Sequence, residues 1–175
     1  GFLYSVVPSV TASLVGAVSK TYDGTDVATL TATNYTATGL AGDTITLNNP
    51  AAGLYDTKAV GSGKLVTVNG LSIVSVLDGT APVFGYNPVV APASAAIGTI
   101  GSATISAISG ITAADKVYDA TQAAILTTTG AVFAGKAGGD SLTVTGATGL
   151  FDTKDVGTGK TVNISGLALS GTDAG

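Results

Sequence analysis

A chain of 175 residues with seven Lys, eleven Asp and no His, Cys, Met, Trp, Glu or Arg carries a net charge of −4 and little of the side-chain chemistry on which catalysis draws. Acid–base and nucleophilic work at neutral pH uses His, tuned Glu or Cys, and transition metals want imidazole or thiolate, so the expectation is a protein that is not an enzyme and holds no zinc, copper or iron–sulfur centre. The acidic balance and the lack of a basic stripe argue equally against nucleic acid.

Only 10% of the residues are charged and the mean hydropathy is +0.50, against roughly 25% charged in ordinary globular chains. Gly, Thr, Ser, Ala and Val dominate, which describes β-formers and turn-formers with a surface of hydroxyls. Without Cys, each module must rely on its own core. Such a composition suits a secreted bacterial or cell-surface protein. Residues 79–114 are uncharged, but Pro82, Pro88 and Pro92 with many Gly and Ser argue against membrane insertion.

Taken in chain order, period-2 patterns predict a strand over 10–18 and a turn at 22–25. Strands follow over 28–33 and 44–48, then a loop through 56–63. A longer strand over 65–76 is broken near Gly70, and 83–90 closes the module. The second half predicts strands over 103–111, 123–129, 141–145 and 161–169. No segment carries a helical period. The expected class is all-β: two tandem small antiparallel β-sandwich modules, immunoglobulin-like, without significant helix. A β-grasp-like module and a β-solenoid are the alternatives.

Internal repetition organises the chain. Lys20, Tyr22, Asp23 and Gly24 recur 96 positions on as Lys116, Tyr118, Asp119 and Ala120. Leu54, Asp56, Thr57, Lys58 and Lys64 recur at the same spacing as Leu150, Asp152, Thr153, Lys154 and Lys160. Between them Gly42 and Asp43 match Gly139 and Asp140 at a spacing of 97, which places one inserted residue in a loop. The expected domains are a closing strand over 1–9 that belongs to a preceding module or neighbouring subunit, a first module over 10–98, and a second over 99–175 that lacks its last strand. Reading on from residue 175 to residue 1 would complete the second copy, with the next Lys20 equivalent 79 residues after Lys116. The chain therefore reads as one period of something longer.

These residues carry a family likeness. The two copies resemble YDG-type repeats of large secreted bacterial proteins related to filamentous haemagglutinin-like adhesins. The likeness rests on Lys116, Tyr118 and Asp119, the Gly139–Asp140 pair, and the run from Phe151 to Gly175. Ala120 departs from the pattern by replacing the turn glycine. The resemblance implies a spacer or adhesive role and supplies no catalytic residue.

Individual residues have plain readings. Tyr22 and Tyr118 are expected to cap a module core with the hydroxyl bonded to backbone, and Asp23 and Asp119 to close Asx-turns. Calcium is the one cofactor left open, through Asp56, Asp152 and Asp155 or through Asp78 and Asp173, although the acids lack the spacing that gathers six to eight oxygens. Lys64 and Lys160 read as solvated lysines of edge strands, which deter aggregation. The Gly-x-Gly-Lys runs at 61–64 and 157–160 lead into strands and read as turns, not as phosphate loops. Asn34 and Asn163 head glycosylation sequons.

Two functions follow as expectations. The first is a structural-adhesive shaft of identical modules or subunits joined head to tail, without enzymatic activity. Its joint would be a donated strand, Phe2, Leu3, Tyr4, Val6 and Val7, that alternates as an inserted strand does. The second is a carbohydrate- or protein-binding module whose Tyr4, Tyr35, Tyr55 and Tyr86 line a site for a host or surface ligand.

Overall fold

The computed structural model describes residues 7–174. It is all-β, with one 3-10 turn at Ala32–Asn34. The chain divides into two compact units, Gly1–Ser102 and Ala103–Gly175.

The first unit begins with β1 (Thr11–Leu14), β2 (Val18–Thr21), β3 (Val27–Thr29), β4 (Tyr35–Thr38) and β5 (Asp43–Leu47). It continues through β6 (Ala52–Tyr55), β7 (Gly61–Val68), β8 (Ile73–Asp78), β9 (Ala81–Pro82) and β10 (Ala93–Gly101). Five strands form one sheet in the order β2-β10-β7-β6-β3. Strands β1 and β4 pair with each other, and β5, β8 and β9 form a third group. Alternate side chains of these groups meet in one core. Ala28, Tyr55, Val66, Val68 and Ile100 come from the five-stranded sheet, and Leu14 and Leu47 come from the strands facing it. Fully burying a Val or Ile contributes about 1.5–3 kcal/mol, so this cluster carries the unit.

The predicted strand over 10–18 is two strands in two sheets. Gly16, at φ +72, turns the chain between them, and the Asn34 amide fastens the corner by donating to the Val15 carbonyl at 3.0 Å. The same Asn34 accepts from Thr31 N–H at 2.9 Å. This sequon asparagine is therefore buried and occupied.

The closing strand is a correction. The stretch over 83–90 forms no strand: it meets Ser72, just before β8, in an isolated bridge at Val89, and exchanges single backbone hydrogen bonds with β8 from Val83 N–H to the Val76 carbonyl at 3.0 Å and from Ile73 N–H to the Pro88 carbonyl at 3.4 Å. Pro82 and Pro88 supply no amide donor there, and Gly85 lies at φ +124. The strand that completes the sheet is β10. It runs parallel to β2, with Gly98 opposite Val18, and antiparallel to β7, with Ala93 opposite Val68. A purely antiparallel module was expected. The parallel pair is reached because nearly the whole unit lies between β2 and β10 and serves as the crossover. Since β10 continues through Gly101, the unit ends a few residues beyond the division expected after residue 98.

The second unit holds β11 (Ala107–Ser109), β12 (Thr112–Ala113), β13 (Ala123–Ala124), β14 (Leu126–Thr127) and β15 (Val132–Ala134). It ends with β16 (Thr143–Thr145), β17 (Thr148–Phe151), β18 (Val162–Ser165) and β19 (Ala168–Ser170). Its largest sheet is β13-β17-β18, and three two-stranded pairs surround it. The pairings β13–β17, β17–β18 and β16–β19 reproduce β3–β6, β6–β7 and β5–β8 of the first unit. Strands β15 and β17, like β4 and β6, lie outside the predicted strands. Residues 114–117, the counterparts of β2, belong to no strand, and β18 lacks the first half of β7.

Candidate functional site

The repeated turn is the most strongly specified cluster of polar side chains. In the first unit Lys20 leaves the end of β2 and folds back over the turn that Tyr22, Asp23 and Gly24 form. Its Nζ donates to Asp23 Oδ1 at 2.7 Å, to the Thr25 carbonyl at 2.8 Å and to Thr25 Oγ1 at 2.9 Å. Asp23 Oδ1 also accepts from Thr25 N–H at 2.9 Å and from the Thr25 hydroxyl at 2.8 Å, which is the Asx-turn geometry. The second unit builds the same network. Lys116 Nζ donates to Asp119 at 2.8 Å and to the Thr121 carbonyl and hydroxyl at 2.8 and 2.9 Å. Thr121 N–H and Oγ1 each reach Asp119 at 2.9 Å.

The charges are satisfied inside the turn. Hydrogen bonds from Lys20 and from Thr25 N–H and hydroxyl hold the Asp23 carboxyl down to about 2, and those from Lys116 and Thr121 hold Asp119 at about 2. These carboxylates are ionised and spent as acceptors, which is the opposite of a tuned general acid. Position 24 needs a left-handed backbone, φ +80, which glycine adopts freely. Ala120 adopts the same conformation at φ +65, so the turn persists at a steric cost.

Of the two tyrosines expected to cap a module core, Tyr22 packs against one and Tyr118 is 55% exposed. The Lys58 ammonium stands 6.0 Å from the Tyr22 ring centroid. The ring beneath the turn is Tyr55, buried, with Lys20 Nζ 5.6 Å from its centroid and its hydroxyl donating to the Val18 carbonyl at 3.1 Å. Burial, with the charge of Asp23, pushes the Tyr55 phenol upward. Phe151 takes that place in the second unit, 5.7 Å from Lys116. The Leu-Tyr/Phe-Asp-Thr-Lys block carried this signal, since its aromatic recurs at the same spacing as the turn lysine.

A second ion-paired clasp sits beside the first. Lys64 lies on the central strand β7, between β6 and β10, and is buried; it is not a solvated edge lysine. Its Nζ donates to Thr57 Oγ1 at 2.7 Å and reaches Asp56 at 3.0 Å. Lys160 repeats both contacts with Thr153 at 2.7 Å and Asp152 at 3.0 Å. Each lysine holds its aspartate below the ordinary carboxylate range. A lysine ammonium buried this deeply needs such partners, and the pairing explains why Lys and Asp recur together.

The remaining candidates do not come together as a site. Tyr35, Tyr55 and Tyr86 belong to the core cluster or pack on it, with hydroxyls committed to the Pro50 carbonyl, the Val18 carbonyl and Asp43. They do not form an exposed aromatic face. Phe2, Leu3, Tyr4 and Val6 lie outside the described residues; Val7 is exposed. Among the described residues no three acidic side chains gather to hold a metal ion, and Asp173 accepts from Ser141 N–H at 2.9 Å. No helix among them is long and apolar enough to cross a membrane.

Compared with protein-family profiles, the chain matches the YDG domain twice, over residues 8–82 and 102–175. Neither curated proteins nor solved structures yield a match.

Proposed function

The chain belongs to the YDG domain family, carried in two tandem copies, and from that premise we propose that it is a non-enzymatic repeat forming the shaft of a bacterial surface adhesin or filament, outside the cell. The observation that carries this reading is the pair of clasps rebuilt in both copies. Lys20 with Asp23 and Lys64 with Asp56 have the same partners at nearly the same distances as Lys116 with Asp119 and Lys160 with Asp152. The preserved polar chemistry is spent on holding turns, and no group in it is left to act on a substrate. A shaft needs that property, because every module must keep its shape without a ligand.

The charge-poor, hydroxyl-rich surface and the absence of Cys agree with this role. The alternative, a glycan- or protein-binding module, called for exposed tyrosines, and in the first unit Tyr55 is buried while Tyr35 and Tyr86 pack against the core with their hydroxyls engaged. Immunogold labelling of intact producing cells with antibodies raised against the chain tests the proposal. Label along surface fibres is the expected result. Label confined to the cell interior would overturn it.

A further inference from the structure

In the first unit the chain enters its five-stranded sheet through β2 and leaves it through β10, and these two strands lie side by side. They run parallel, with Val18, Ser19, Lys20 and Thr21 opposite Gly98, Thr99, Ile100 and Gly101. The pairing continues one step past the strands, where Tyr22 N–H donates to the Gly101 carbonyl at 2.8 Å. On its other edge β10 pairs with β7, from Ala93 opposite Val68 to Ile100 opposite Gly61.

Direction decides what such a pair does under tension. A pull on the chain from both sides of the unit draws β2 back from its Val18 end and β10 forward from its Gly101 end. In a parallel pair those are opposite ends, so the strands are dragged along each other and the evenly spaced rungs share the load. In an antiparallel pair both pulls would act at one end, and the rungs would open one after another. Strand β1 comes before β2 in the line of force, but it pairs with β4 alone. Its release leaves the rungs between β2 and β10 in place.

We propose that the β2–β10 pair is a shear clamp, the element through which the first unit bears tension along the chain. Val18 and Ile100 are both buried, and hydrogen bonds under such apolar cover are stronger than in water. Tyr55, from β6, passes over Gly98 and donates its hydroxyl to the Val18 carbonyl at 3.1 Å, which ties the loaded strand to the far side of the sheet. A Cβ on Gly98 would stand 2.6 Å from Tyr55 Cε1, so the glycine is what lets the ring through. At the other end of β2 the Lys20 ammonium is held by Asp23 and Thr25. The repeated turn thereby closes the trailing end of the clamp strand. The clamp is a property of the fold; its use rests on the reading of the chain as a shaft, which is stretched along its length whenever its two ends are held.

The chain has no cysteine, so introduced pairs give unique attachment points for pulling single molecules. Whole chains carrying Ala17→Cys with Ser102→Cys load the pair in shear. Whole chains carrying Asp26→Cys with Ser102→Cys draw β10 away by its Gly101 end and peel it from its neighbours. All three positions are exposed. Lifetime under a constant force reads the unfolding rate, and the sheared unit should outlive the peeled one by about tenfold or more. Tyr55→Phe should shorten the sheared lifetime about fivefold, the worth of one hydrogen bond, and leave the peeled lifetime unchanged. Equal lifetimes in the two geometries, or a longer one when peeled, overturn the clamp. Equal shortening by Tyr55→Phe in both geometries overturns the part given to Tyr55. A direction-dependent lifetime without surface label would leave the clamp standing and remove the shaft; label with equal lifetimes would do the reverse.

Discussion

The two units share their turns but not their cores. Asp23 and Asp119 sit in networks that agree to 0.1 Å, contact by contact. Yet all the buried apolar side chains among the described residues lie in the first unit. Val66 and Val68 are fully buried there, whereas their counterparts Val162 and Ile164 are only half-buried. Tyr55 is buried and Phe151 is not. In the first unit β10 pairs with both β2 and β7. There β2 and β7 are bridged and the core is sealed, whereas Phe151, Val162 and Ile164, the counterparts of Tyr55, Val66 and Val68, line a groove. A turn closed by neighbours within five residues does not depend on distant strands, and burial does.

This contrast can be broken or sharpened by substitution. The largest effect is expected from Ile100→Ala, which removes the most deeply buried side chain of β10 and should cost about 2–5 kcal/mol in the first unit alone. Urea unfolding followed by unit-resolved hydrogen exchange measures it. Equal loss in both units would mean that β10 also supports the second. Next, Val66→Ala should cost about 2 kcal/mol, and Val162→Ala less than about 1 kcal/mol, because Val162 keeps much of its contact with water. Similar costs would show that the second unit is sealed in solution.

Position 120 tests the part the units share. Ala120→Gly relieves a left-handed alanine and should stabilise the second unit by about 1 kcal/mol, while Gly24→Ala should destabilise the first by a similar amount. Thermal melts of the two variants should therefore shift in opposite directions. The smallest effect concerns acid. Asp23 and Asp119 are held at about 2, below their ordinary 3.8, so between those values the unfolded chain binds more protons than the folded one. The clasps contribute fully above about pH 4, and the contribution should fade as pH drops towards about 2. Asp23→Asn and Asp119→Asn should flatten that loss to the same extent. Unequal flattening would show that the turns differ in solution despite their matching geometry.

What was legible in the sequence is local. Lys20, Tyr22, Asp23 and Gly24 announced a turn, because an Asx-turn with a lysine folded over it needs only residues close together in the chain. Their recurrence at Lys116 announced a second module, and the alternation of Val, Thr and Leu announced strands. The short strands β4, β6, β15 and β17 escaped, since three or four residues are too few for a period to show. The fate of Lys64 escaped for another reason. Whether a strand lysine is solvated depends on its neighbours, and only the sheet order β6-β7-β10 placed it inside.

By itself the sequence determined an all-β chain built from a duplicated module with an Asx-turn in each copy. Only the tertiary structure decided which segment closes a module. Ala93–Gly101 is made of small residues with two isoleucines and reads weakly as a strand, because its stability comes from partners at β2 and β7 that lie far away along the chain. Long-range pairing of that kind shows only in the assembled sheet, where Gly98 lies opposite both Val18 and Lys64.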